Sequence, residues 1–216
     1  MKYRQAINTI QKKLSSHQPQ RLRIPNFKPA AVVIPFFEIE REAHILFTKR
    51  SDTVEHHKGQ VSFPGGARET QDSALEDTAL REMHEEVGIP PEMVPIIGQL
   101  DDFPTISDFL VTPFVATMPY PYPVNLSTDE VAEILEVPLD LFLTDAHFSL
   151  EEREFGGRTY PVYYYDFQGT VIWGVTGYIV NRFIDLAFDY NPAPEIIHND
   201  PLALAYLTDK NRRKER

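Results

Sequence analysis

The chain has no cysteine, which excludes disulfide staples, thiol nucleophiles and thiolate metal ligands together. It also has no long apolar run. The longest, Ala30 to Phe37 with Pro35 inside it, falls far short of the roughly 20 residues that span a bilayer, and it reads as a buried strand. Near the start, Lys2 and Arg4 are present without the continuous apolar stretch of about 7–15 residues that a secretory signal needs. A cytoplasmic location is the default expectation. Basic charge is scarce as well: 21 Lys and Arg stand against 32 Asp and Glu, a formal net charge of −11. Nucleic-acid affinity rests on Lys and Arg neutralising phosphates, so neither nucleic acid nor membrane is an expected partner. A small phosphorylated ligand held through a metal remains compatible with this charge.

What is present fits one globular domain over residues 1–216. With 42% apolar and 25% charged residues the chain can bury a substantial core, and no linker divides it. Tyr3 to Leu14 carries a weak helical pattern, followed by a polar connection through Pro29. Ala30 to Phe37 and Ala43 to Thr48 are spaced as a hairpin. A helix is expected over 73–87. Val94 to Leu100 and Leu110 to Met118 read as strands, separated by a polar segment, Asp101 to Asp108, that can lie over a site. Pro119 to Asp129 reads as a loop, Val131 to Val137 as a strand and Pro138 to Leu143 as a short helix. Tyr160 to Phe167 and Thr170 to Trp173 suggest a final strand pair, and Val175 to Phe188 a closing helix. Strands with helices on either side imply an α/β fold, a three-layer α/β/α sandwich with a mixed β-sheet. The basic end, Asn211 to Arg216, reads as a solvated terminus.

The most informative segment is Arg81-Glu82-Met83-His84-Glu85-Glu86-Val87-Gly88. On a helix, Glu82, Glu85 and Glu86 at i, i+3 and i+4 share one angular sector. Like charges so close repel on a plain solvated face, and they become favourable around a divalent cation such as Mg²⁺ or Mn²⁺. A solvated acidic face is the alternative reading. Against it stand Gly65-Gly66 before the helix, an apolar stripe of Leu75, Ala79, Leu80, Met83 and Val87, and Gly88 at the place of a C-terminal stop.

Arg81 through Ile89 resemble the second half of the Nudix hydrolase box, R-E-apolar-x-E-E-x-G-apolar. In the first half the two ends are offset by one residue. With one extra residue in the loop, Gly66 keeps the turn and Asp72 takes the acid position, as a candidate helix N-cap, with Glu69 the second candidate. Upstream, Leu46 to Ser51 and His57-Lys58-Gly59-Gln60-Val61-Ser62-Phe63-Pro64-Gly65-Gly66 look like the signature of the coenzyme A pyrophosphatase branch, which carries the same extra residue. Where that branch often has an arginine after its Arg-Ser pair, this chain has Thr53-Val54-Glu55. The resemblance covers roughly residues 28 to 188, leaving N- and C-terminal extensions.

The resemblance implies a Nudix fold and a metal-dependent hydrolysis of coenzyme A or an acyl-coenzyme A at its diphosphate, giving 3′,5′-ADP and a 4′-phosphopantetheine product. Mg²⁺ or Mn²⁺ would be held by Glu82, Glu85 and Glu86. Glu130 is the expected additional carboxylate from outside the box, although Ser127 to Glu130 also fits a helix capping pair. Arg50, His57, Lys58, Gly65 and Gly66 are the expected substrate-binding residues. Arg81, pointing about 100° away from its helical neighbour, is expected to pair with an acid of the box loop. His84 is expected to face solvent. Tyr163 to Tyr165 and Trp173 fit packing better than stacking on a base. The alternatives are the same chemistry on ADP-ribose or a dinucleotide, and a non-catalytic ligand sensor. The expected partner is a small nucleoside diphosphate, and a homodimer is within the expectation.

Overall fold

The computed structural model describes residues 1–53, 58–155 and 158–193. His57 and the basic end therefore lie outside the described residues, and the side chains of residues 155, 158 and 159 are left aside. The centre is strand β1 (Lys28–Ile39), which joins β2 (Glu42–Arg50) in an antiparallel hairpin. A two-residue turn makes that hairpin: Glu40 and Arg41 have φ of 49° and 72°, the left-handed pair whose twist matches the flanking strands. On its other edge β1 runs parallel to β7 (Phe109–Thr117), from Lys28 opposite Phe109 to Phe36 opposite Thr117.

Pro35 sits inside this central strand, although proline has no N–H to give a ladder. The alternation explains how. Val33 donates to Pro64 and the Phe36 carbonyl accepts from Met118, so odd residues of β1 face β2 and the short strand β4 (Gly65–Ala67). The β4 pairing ends at Val32 and the β2 pairing begins at Phe36, so Pro35 falls in the gap.

The remaining strands of the first sheet are β3 (Val61–Ser62), β5 (Ile96–Gln99), β6 (Phe103–Pro104) and β8 (Val131–Pro138). The first sheet is mixed. Its two faces are read directly from the strand period of two. Ala30, Ile34 and Phe36 of β1, with Ala43, Ile45 and Phe47 of β2, are buried beneath helices α1 (Tyr3–Ser16) and α3 (Gly174–Phe188). Ala31, Val33 and Phe37, with Leu46 of β2, are buried against Ala79, Met83 and Val87 of helix α2 (Leu75–Val87). This gives the expected α/β/α layering.

One expectation needs correction. The closing strand pair is a three-stranded antiparallel sheet of β9 (Phe148–Phe155), β10 (Arg158–Phe167) and β11 (Thr170–Ile172). Tyr163 and Tyr165 of β10 are buried in the core, while Tyr164 stacks on Trp173 with centroids 6.1 Å apart. The Asp101–Asp108 segment is engaged with the N-terminal connection. Asp101 meets His17 and the Gln20 N–H, and Asp102 accepts from Arg21, the Leu22 N–H and Thr112. Among the described residues no helix is long and apolar enough to cross a membrane.

Candidate active site

Helix α2 forms where good helix formers follow a loop of turn residues, and it ends on Gly88. That glycine has φ 86° and donates its N–H to the His84 carbonyl, the left-handed stop a Cβ would disfavour. Burial of Ala79, Met83 and Val87 fixes the rotation of the helix; the Met and Val side chains contribute roughly 1.5–3 kcal/mol each. With that face inward, His84 and Glu85 are exposed and Glu86 is buried.

Gly65 and Gly66 bring the chain onto β1 directly before the helix. A Cβ on Gly65, whose φ is 155°, would collide with the Ala31 carbonyl. One on Gly66 would stand 2.5 Å from Glu82 Oε1. The glycine pair therefore leaves the space that Glu82 occupies.

The loop that follows is tied by Asp72, which is buried and takes the acid position. Arg81 donates to it through Nε at 3.0 Å and Nη2 at 3.2 Å. The Glu69 N–H and the Thr78 hydroxyl each donate to Asp72 Oδ2 at 2.9 Å. The Arg81 hydrogen bonds outweigh burial and hold the Asp72 carboxyl down at about 2. Asp72 is not the helix N-cap: that position is Ala74, whose N–H donates to Asp77. Glu69 is more distant, its Oε1 3.9 Å from Arg81 Nη1.

The pairing of Arg81 with a loop acid agrees with the sequence, but its supposed separation from the glutamates does not. Nη1 of Arg81 lies 2.9 Å from Glu82 Oε1 and 2.9 Å from Glu85 Oε2. A long side chain can curl across the 100° that separates Cβ directions. Glu86 points elsewhere: its Oε2 accepts from the Thr48 hydroxyl of β2 at 3.3 Å. As the side chains stand, no three acids or histidines among the described residues converge as a metal cage.

The electrostatics nevertheless fit a cation. Burial raises the Glu82 carboxyl, and Arg81 only partly opposes it. Burial, followed by the charge of Glu82, pushes Glu86 up to about 8 against the pull of Arg50 and Thr48. Glu130 adds its negative charge to both. Hard carboxylate oxygens that raise one another's protonation are a donor set suited to a divalent metal.

Glu130 is exposed, on a turn before β8. Its N–H donates to the Ser127 carbonyl and its own carbonyl accepts from the Ser51 N–H. No helix follows Ser127, which removes the capping alternative, and the Ser127 N–H donates to the Glu86 carbonyl. Arg50 ends β2 close enough to Glu86 to be felt by it. Its buried Nε has no hydrogen-bond partner, and it makes no ion pair among the described residues. Lys58 is exposed on a turn. Thr48 and Ser62 were not singled out by the sequence reading. The signal for Thr48 is a hydroxyl two residues after the apolar Leu46, on the face that meets α2.

A family model described as NUDIX domain matches residues 26–154. The chain is 39% identical over 166 residues to the uncharacterized Nudix hydrolase NudL of Photorhabdus laumondii, a match covering 76% of this chain and 87% of that one. It is 40% identical over 157 residues to the uncharacterized NudL of Yersinia enterocolitica, covering 73% and 80%. Among solved structures, a C. elegans Ap4A hydrolase in a binary complex is similar with a TM-score of 0.45 and 18% identity, over 51% of this chain and 80% of that one.

Proposed function

The chain belongs to the Nudix family of hydrolases, and from that premise we propose that it cuts the diphosphate of coenzyme A or an acyl-coenzyme A, giving 3′,5′-ADP and a 4′-phosphopantetheine product. The observation that carries this reading is Arg50. A half-buried guanidinium with an unsatisfied Nε stands close enough to the buried Glu86 to act on its carboxyl, in the Leu46 to Ser51 segment that resembles the coenzyme A pyrophosphatase signature. An unpaired cation at the rim of carboxylates suits a diphosphate whose other oxygens face a metal.

Nudix hydrolases use divalent metal ions, and here Glu82, Glu85 and Glu86 would hold Mg²⁺ or Mn²⁺. When bound, such an ion would supply charge neutralisation at the diphosphate and a more nucleophilic water. The chain's own groups do the rest. Arg50 would hold a phosphate oxygen, and Lys58, with His57, would meet the remaining phosphate charge. Gly65 and Gly66 let backbone approach the substrate side of β4 closely. Glu130 would accept a proton from the attacking water or orient it. Arg81, fixed by Asp72, keeps the loop and the first turns of α2 in one shape.

The test is a substrate panel with Mg²⁺ and with Mn²⁺: coenzyme A, acetyl-coenzyme A, ADP-ribose, NADH and diadenosine polyphosphates, with products identified by mass. Preferential cleavage of coenzyme A or its thioester is the expected outcome. Preference for ADP-ribose or a dinucleotide would replace the substrate while leaving the chemistry. Binding without turnover would make the protein a sensor.

A further inference from the structure

We infer that the Thr48 hydroxyl is a positioning group for Glu86, kept in place by Ser62, and that the pair sets how tightly the site binds its divalent cation. The inference rests on the metal-site reading above and concerns side chains that reading does not use.

On the face of β2 that meets α2, Leu46 is fully buried and Thr48, two residues on, is 1% exposed. A β-branched residue suits the strand, but valine would serve packing equally well, and a buried hydroxyl must find partners. Thr48 Oγ1 reaches the Ser62 carbonyl at 3.4 Å, the Ser62 hydroxyl at 3.3 Å and Glu86 Oε2 at 3.3 Å. It has one proton for these acceptors. If the Ser62 hydroxyl donates to Thr48, the Thr48 proton is left for Glu86. The register supports this relay, because Ser62 on β3 is the cross-strand partner of Thr48, so the strand pairing holds both hydroxyls together.

Among the described residues no other group donates a hydrogen bond to the Glu86 side chain. That carboxylate is 3% exposed and faces the negative charge of Glu82 and Glu130. A donor on Oε2 fixes its rotation and leaves Oε1 for another partner. In metal sites, groups that orient a ligand in this way typically change affinity by about 10–100-fold when removed.

The experiment titrates the full chain with Mn²⁺ and follows free ion by electron paramagnetic resonance, with thermal unfolding of the metal-free protein alongside. Thr48→Val removes the hydroxyl at nearly constant volume. We expect its Mn²⁺ Kd to rise about 10-fold or more with Tm unchanged or higher, and Thr48→Ser to bind within about twofold of wild type. Ser62→Ala should weaken Mn²⁺ in the same direction by less, and it serves as the readout if Thr48→Val does not fold. Activity should recover in Thr48→Val at high Mn²⁺, which separates metal affinity from turnover. Wild-type Mn²⁺ binding in Thr48→Val, with weakened binding in Glu86→Gln, would overturn the positioning role alone. Equal weakening in Thr48→Ser and Thr48→Val would assign Thr48 to packing and overturn it too. Unchanged binding in Glu86→Gln would overturn the metal site itself and this inference with it.

Discussion

Glu85 and Glu86 are chain neighbours in opposite circumstances: the first is 53% exposed and meets Arg81, the second is buried against β2. Replacing either by Gln keeps helix and volume while removing a charge from the site. We expect turnover to fall about 10²-fold or more if each holds the metal, with the fold retained by circular dichroism. Near-normal turnover in both at saturating metal would mean that the catalytic ion is held elsewhere. Glu86 also sets a pH dependence. Its carboxyl is raised from 4.5 to about 8, so between those values the folded chain holds a proton that the unfolded chain has released. The stability this brings is complete below pH 4.5 and lost as pH rises to about 8. The Tm of metal-free protein should therefore decline across that window, the decline should flatten in Glu86→Gln, and divalent ion should restore Tm at the alkaline end. Asp72 works with the opposite sign: held at about 2 against 3.8, it contributes stability above the higher value that is lost as pH falls through the lower. Asp72→Asn, which breaks charge-assisted bonds worth about 1.5–3 kcal/mol, should lower Tm at neutral pH and lessen its acid dependence.

At the scale of elements, β4 and α2 meet through the missing Cβ of Gly66. Its backbone is not left-handed, so alanine is tolerated there in φ and ψ, but the new methyl would displace the Glu82 carboxylate from 2.5 Å. Gly66→Ala should therefore fold, keep most of its Tm and lose activity through Glu82, read as a steep fall in kcat at fixed metal. The contact was legible only in part. The helix, its stop at Gly88 and the β1–β2 hairpin follow from periodicity and spacing. Strand β4 does not, since three residues containing two glycines carry no strand pattern. Strand β9 was hidden for another reason: Glu151, Glu152, Arg153 and Glu154 give it a loop's composition, and register with β10 makes it a strand. The Glu40-Arg41 turn lacks the glycine or asparagine that usually marks such a turn. Within the site, the box spacing names the helix acids but not where their side chains turn, and the Thr48–Glu86 bond joins two elements far apart in sequence. Glu130 belongs to this scale because a turn, not a helix, presents it. Glu130→Gln should lose turnover with Tm preserved if its carboxylate handles the attacking water. An inert variant would move the search to the neighbouring carboxylates, Asp129 exposed on the same turn and Glu133 exposed on β8.

For the molecule as a whole, a net charge of −11 would repel the polyanionic substrate proposed, so attraction has to be local. On the proposed reading that task falls, together with a metal, to Arg50, close to Glu86, and to Lys58, exposed on the turn before β3. If either pairs with the 3′-phosphate of coenzyme A, dephospho-coenzyme A should be the poorer substrate by the roughly 1.5–3 kcal/mol of a charge-assisted hydrogen bond, about 10–100-fold in kcat/KM. The selectivity should shrink in Arg50→Ala or Lys58→Ala, whichever makes the contact. A water held at one face of one phosphorus should also place ¹⁸O from labelled solvent in a single product, and we expect the adenosine-side product to carry it. Equal kcat/KM for the two substrates, unchanged in both variants, would leave the diphosphate chemistry intact while removing the charge argument for coenzyme A. Label in both products would mean that substrate geometry does not fix which phosphorus is attacked.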